Sequence, residues 1–179
     1  MIPHLTHGPF LGLILPMLDI ADLPPVPTPP MPVGASRIET HAGWYLAGDT
    51  GFEVEGGLVG AGYIVRHSDG SNQKRGTLAA RVAGTWFTPG ESEMPVDRYW
   101  VGPFVRAEAA SEIFGRHDGP EFGQVNRAAA DLGYRYPLGG SVGSAGSLGI
   151  GYAVAHDRQG VVYQGIKHGL RLQVDFVLR

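Results

Sequence analysis

The chain contains no cysteine, which excludes disulfides, thiolate metal sites and cysteine nucleophiles and makes the fold indifferent to redox conditions. Lysine is nearly absent too: Lys74 and Lys167 are the only two, and arginine carries the rest of the positive charge. A rigid five-donor guanidinium suits fixed ion-pair networks, whereas lysine suits a solvated surface; a GC-rich genome favouring Arg, Gly, Ala and Pro codons is the competing explanation. No Lys or Arg precedes Arg37 and no basic run follows it. With a net charge of -3 and a pI near 6.1, nucleic acid is set aside as a partner. Long apolar runs are also missing. Phe10 to Leu15 is stopped by Pro16, far short of the ~20 apolar residues of a spanning helix and short for the apolar core of a secretory signal. The expectation is a signal removed upstream, or export by another route.

What is abundant is glycine, 28 of 179 residues against a usual ~7%, spread through strand-like segments as well as turns. The length suits one domain. Residues 1–33 hold nine of the fourteen prolines, and Pro24 to Pro32 reads as polyproline II, a semi-rigid spacer. The expected organisation is therefore an extended Pro-rich arm over 1–35, with an apolar plug at Phe10, Leu11, Leu13, Ile14 and Leu15, and a β domain over 36–179. The plug reads either as an anchor docking on a partner or membrane surface, or as a terminal segment folded back on its own domain.

From Arg37 the pattern has period two, the signature of strands with one apolar and one polar face. Ile38, Thr40, Ala42, Trp44 and Leu46 alternate with Arg37, Glu39, His41, Gly43 and Tyr45. Gly48-Asp49-Thr50-Gly51 is a tight turn into Phe52 to Arg66, where Val59, Ala61, Tyr63 and Val65 share a parity and Gly56-Gly57 suggests a bulge. Thr77 to Thr88 and Asp97 to about Glu108 follow. Pro103 implies an edge-like or bulged site in the latter, and Ala107 to Phe114 is open between strand and a short helical turn. Phe122 to Pro137 alternates cleanly. A Gly/Ser loop, Gly139 to Ser147, precedes a strand from Leu148 to Val154. The closing stretch, Gly160 to Arg179, sets Leu170, Leu172, Val174, Phe176 and Leu178 against Arg171, Gln173, Asp175 and Arg179. That makes seven strands, with an eighth either hidden in the arm or made by splitting the last stretch near Lys167-His168-Gly169.

Strands joined by short turns with no helical window imply an all-β fold, an up-and-down antiparallel β-barrel of about eight strands closed to remove its edges. Which face points inward is the open question. Three features favour an apolar outside. The other parity carries Arg81, Arg98, Arg106, Glu108, Arg127, Asp131, Arg135, Arg171 and Asp175 among Gly and Ala, as mutually paired charges in a narrow lumen would. Trp44, Tyr63, Trp86, Tyr99, Tyr134, Tyr136 and Phe176 fall mostly near strand ends, as interfacial girdles do. Only 17% of residues are charged, low for a water-soluble barrel.

On these residues the stretch from Arg37 to Arg179 resembles the small outer-membrane β-barrel proteins of bacteria, including the near-terminal aromatic in Val174-Asp175-Phe176-Val177-Leu178-Arg179. Their closing strand typically finishes on an aromatic, whereas this one continues for three residues. The resemblance implies a structural or adhesion role in the envelope. The leading expectation is a non-catalytic scaffold or accessory subunit whose arm docks into a membrane or a larger membrane protein complex, an energy-transducing one among the candidates. The alternatives are a soluble or periplasmic lipocalin-like barrel holding a lipid or pigment, and a barrel enzyme acting on lipid.

No catalytic, cofactor or metal motif stands out. His4 and His7 have i, i+3 spacing but no third ligand. His117-Asp118 with Ser111 offers triad types without a nucleophile elbow. His156 and His168 resemble the histidines of barrel lipid A deacylases, yet no serine follows Ser147. Gly143 to Gly149 lacks the Lys-Ser/Thr ending of a phosphate loop. The arginine cluster suits an acidic head group or, more simply, its own carboxylates.

Overall fold

Alternation alone cannot say where a sheet ends; a computed structural model shows that this one does not end. It describes residues 6–21, 32–48, 50–67, 69–88, 100–115, 122–138, 144–158 and 165–177. Eight strands follow in order: β1 (Thr6–Ala21), β2 (Pro32–Ala47), β3 (Phe52–His67), β4 (Asn72–Phe87), β5 (Gly102–Gly115), β6 (Phe122–Pro137), β7 (Ala145–Asp157) and β8 (Gly165–Val177). Each pairs antiparallel with its neighbours, and β8 returns to β1 to close the barrel.

The register fixes the barrel's shape. Stepping across the ladder from Phe10 leads through Gly43, Gly57, Arg81, Ala110, Arg127, Ala155 and Lys167 and back to β1 at Ala21. One residue of that displacement belongs to the irregularity between Pro16 and Leu18, which leaves a stagger of about ten residues and a strand tilt of about 40°. An eight-stranded barrel of this kind is just wide enough to be filled by side chains.

Burial answers the question of faces. Arg81, Arg106, Glu108, Arg127, Asp131, Arg135, Arg171 and Asp175 are buried inside, while Leu58, Leu78, Val82, Leu132, Ile150 and Leu170 are exposed outside. This is the architecture of small outer-membrane-type barrels, and it overturns the calyx alternative, which needs the apolar face inward.

Several expectations need correction. The apolar plug is not carried on a tether: it lies in β1, paired with β2 on one side and β8 on the other. Phe10 and Ile14 point into the barrel, with Leu11 exposed and Leu13 and Leu15 half-buried on the outer wall. The sequence hid this strand because its inward positions are Gly8, Phe10, Gly12 and Ile14 rather than charges, so the period-two signal blurred into an apolar run. The boundary at 35/36 therefore does not separate arm from barrel, and the eighth strand comes from the arm, not from splitting β8. The proline run itself lies mostly outside the described residues.

In β3 the inward parity is Glu53, Glu55, Val59 and Ala61, so Val59 and Ala61 face the lumen rather than the apolar side. No bulge interrupts Gly56-Gly57, where the β2–β3 register runs on unbroken. Pro103 is likewise in register as the second residue of β5, and Ala107 to Phe114 is strand throughout. The expected turn at Gly48 to Gly51 is present, with Gly51 at φ 75°, a left-handed conformation that favours glycine.

Candidate functional site: an ionic lumen closed at one end

The charged residues singled out in the sequence converge because every second position of a strand points into a narrow barrel. All of them but Arg98, which lies outside the described residues, are brought into one network. Glu108 on β5 is its hub. It accepts from Arg81 Nε at 2.9 Å, Arg127 Nη2 at 2.7 Å and both terminal nitrogens of Arg171 at 3.1 Å. Arg171 also grips Asp131 bidentately, at 2.8 and 2.5 Å. Arg106 divides its donors among Thr85 at 2.9 Å, Glu55 at 2.5 Å and Asp175. Asp175 meets His41 Nε2 at 2.7 Å and accepts from Gln173 Nε2 at 2.8 Å.

Several links cross the lumen. Arg127 on β6 binds Glu39 on β2, Arg106 on β5 binds Asp175 on β8, and Arg135 on β6 donates to both oxygens of Glu53 on β3 at 2.7 Å. The network therefore braces opposite walls, which the backbone ladder cannot do. Glycines make room for it: a Cβ on Gly12 would lie 2.1 Å from Asp175 Oδ1, and one on Gly151 would lie 2.0 Å from Asp131 Oδ1.

Sequence reasoning missed about half of this network. Glu53 and Glu55 were lost with the wrong parity of β3. Glu39 and His41 shared the polar parity of β2 and could have been found by extending the charge count to that strand. Glu112, Asp157 and Lys167 are buried as well. Among the described residues eight buried carboxylates face five guanidiniums and one ammonium.

One end of the lumen is apolar. Phe10, Tyr45, Ala47, Val101, Ala145 and Val177 form a cluster against which Trp100 packs. Phe87 lies 5.8 Å from Phe104 and 6.3 Å from Trp100, ring centre to ring centre. The Trp100 indole is pinned to the Gly48 carbonyl at 2.9 Å and its backbone N–H reaches Glu53 at 3.3 Å. Arg135 sits 4.9 Å over the Phe87 ring, so the apolar stopper and the ionic layer touch there.

Chemically the arrangement sets arginines against carboxylates. Ser147 Oγ is 3.5 Å from Asp175, but His41 turns to that same carboxylate and not to the serine. The other candidates are on the outer wall. His156 is exposed, His168 meets Tyr152 Oη at 2.5 Å, and His7 stacks on Trp44. Ser111 donates to Asn126 at 3.0 Å; His4, His117 and Asp118 lie outside the described residues. Ala145 to Gly149 is the start of β7 rather than a loop. Among the described residues no three His, Cys, Asp or Glu are placed to share a metal.

The outer wall is the inverse of the lumen. Among the strand residues whose exposure is described, Lys74 is the one exposed Asp, Glu, Lys or Arg. Trp44, Phe52, Trp86, Tyr134, Tyr136 and Phe176 are exposed in a collar at the end where β1 begins and β8 ends. On β4 the exposed or half-exposed positions Gly76, Leu78, Ala80, Val82, Gly84 and Trp86 run without a charge. Ten residue steps of ~3.3 Å at this tilt rise about 25 Å, the height of the apolar band on outer-membrane barrels.

No protein-family model matches the chain, and no curated protein sequence matches it. Among solved structures it is similar to the beta domain of the Bordetella autotransporter BrkA, at 11% identity and a TM-score of 0.31, over 97% of this chain and 99% of that one. So loose an overlap carries no weight, and the assignment of faces rests on burial alone.

Proposed function

We propose that this chain is a membrane-embedded β-barrel of a bacterial envelope, residing in the outer membrane and serving as a non-catalytic structural or accessory subunit. The observation that carries this is the uncharged apolar wall, about 25 Å tall with an aromatic collar at one edge, around a lumen packed with ion pairs. In water such a wall would be an aggregation surface far larger than monomeric proteins expose. In a bilayer it is the required surface, and a closed sheet pairs backbone groups strand to strand as hydrocarbon demands. Among the described residues no helix is long and apolar enough to cross; strands would do so. Braced Arg–carboxylate links and the aromatic stopper suit a rigid stave better than a pore. Docking through residues 10–15 is not part of this reading, because those residues are a strand of the wall.

The test is to refold the full chain into phospholipid vesicles and follow protection from protease, heat-modifiable mobility and ion conductance. Protected barrels that show no conductance steps are expected. A chain that stays monomeric in water and never sediments with vesicles overturns the membrane reading, whereas steady conductance overturns the closed one. Extraction of native membranes in mild detergent tests the subunit role: migration as a lone barrel refutes it.

A further inference from the structure

Two groups of glycines in the barrel stand at opposite extremes. At Gly12, Gly57, Gly133 and Gly151 an added Cβ would collide with backbone or with the ionic network, so packing demands glycine. At Gly62 and Gly76 it would meet nothing within 4 Å, and at Gly60 only Thr40 Oγ1 at 3.8 Å. The fold does not need glycine at these three places, where glycine weakens a strand. What they create is space. Gly62 pairs with Gly76, and Gly60 lies between Thr40 and Leu78 in the adjoining row. Together they floor a groove of about 610 Å³ on the outer wall, flanked by Ile38 on one side and Leu78 and Ile113 on the other. The groove is shallow and open to the surroundings.

We infer that this groove holds one acyl chain of an anionic phospholipid whose phosphate meets Lys74. Width selects the chain. At Gly60 the backbones of Thr40 and Leu78 are two strand spacings apart, about 9.6 Å, and their own side chains narrow the slot further, so a helix of 10–12 Å diameter does not enter. Charge selects the head group. Lys74 is two residues from Gly76 on the same face, opposite Ile64, at the mouth of the groove away from the aromatic collar. It stands just past the 25 Å apolar band, at head-group depth, and among the strand residues whose exposure is described it is the one exposed Lys, Arg, Asp or Glu. A basic side chain at that depth attracts an anionic lipid by about 1 kcal/mol.

The inference rests on the membrane reading, and its test separates the two. The full chain and the variants Gly62→Leu, Gly62→Ala and Lys74→Gln are purified in mild detergent and checked for heat-modifiable folding. Each is then offered phosphatidylglycerol and phosphatidylcholine and examined by native mass spectrometry. The expected result is retention of phosphatidylglycerol by the unmodified barrel, loss in Gly62→Leu, partial loss in Gly62→Ala, and a preference over phosphatidylcholine reduced about fivefold in Lys74→Gln. Folded variants that retain the lipid as the unmodified chain does overturn the groove while leaving the membrane reading intact. Equal retention of the two lipids overturns the role of Lys74, and a chain that does not fold in detergent overturns both readings. A protein rather than a lipid crosslinked from residue 78 also overturns it.

Discussion

Val105 and Arg106 are neighbours on β5, yet Val105 is 44% exposed on the wall and Arg106 is 1% exposed in the lumen. The same contrast recurs at Val82 and Arg81, Leu132 and Asp131, and Leu170 and Arg171. In a water-soluble protein each pair would be reversed. Here charges are removed from the surroundings and set against each other, with a few buried atoms such as Arg127 Nε and Arg135 Nε left without a hydrogen bond, and apolar groups are handed to the surroundings. The difference teaches that a lumen of this width is a core like any other in its demand for satisfied polar groups, only one held together by Arg–carboxylate geometry instead of apolar contact.

The contrast can be broken from the inside first. Glu108→Ala leaves Arg81, Arg127 and Arg171 without their shared acceptor, and losing one partner of a buried ionic cluster costs about 3–5 kcal/mol. Urea unfolding of the barrel in vesicles should show that loss, and an unchanged midpoint would mean the network is decorative. From the outside, Leu58→Arg at mid-wall should cost about 2–4 kcal/mol in lipid, and Leu46→Arg, beside the aromatic collar, about 0–1. Equal costs at the two depths would show that the wall does not face a bilayer. A similarly small effect is expected where the wall departs from its own rule, at the hydrogen bond between Tyr152 and His168. Tyr152→Phe should lower stability by about 1 kcal/mol, measured in the same unfolding assay.

Legibility in the sequence followed the strength of alternation. β2, β6 and β8 were readable because long apolar residues face charges at every second step, as in Leu170, Leu172 and Val174 against Arg171, Gln173 and Asp175. β3 was misread because its outward positions include Gly56, Gly60 and Gly62, so the apolar parity was taken from Val59 and Ala61, which lie inside. β1 went unseen for the opposite reason: Phe10 and Ile14 are inward and Leu11, Leu13 and Leu15 are outward, so both faces are apolar. The arginines of the network were legible as a class. Their partners were not, since Arg127 and Glu39 are 88 residues apart and nothing local links them.

By itself the sequence determined that this is a chain of strands without disulfides, with arginine-based charge on one face and apolar residues on the other. Those are properties of single residues and their period. Only the tertiary structure decided which face is inside, that β1 closes the sheet, and that Gly12 and Gly151 are there for the network while Gly62 and Gly76 are not. Each of these depends on what lies across the lumen or the ladder, and a closed barrel brings residues together by circumference and stagger rather than by distance along the chain.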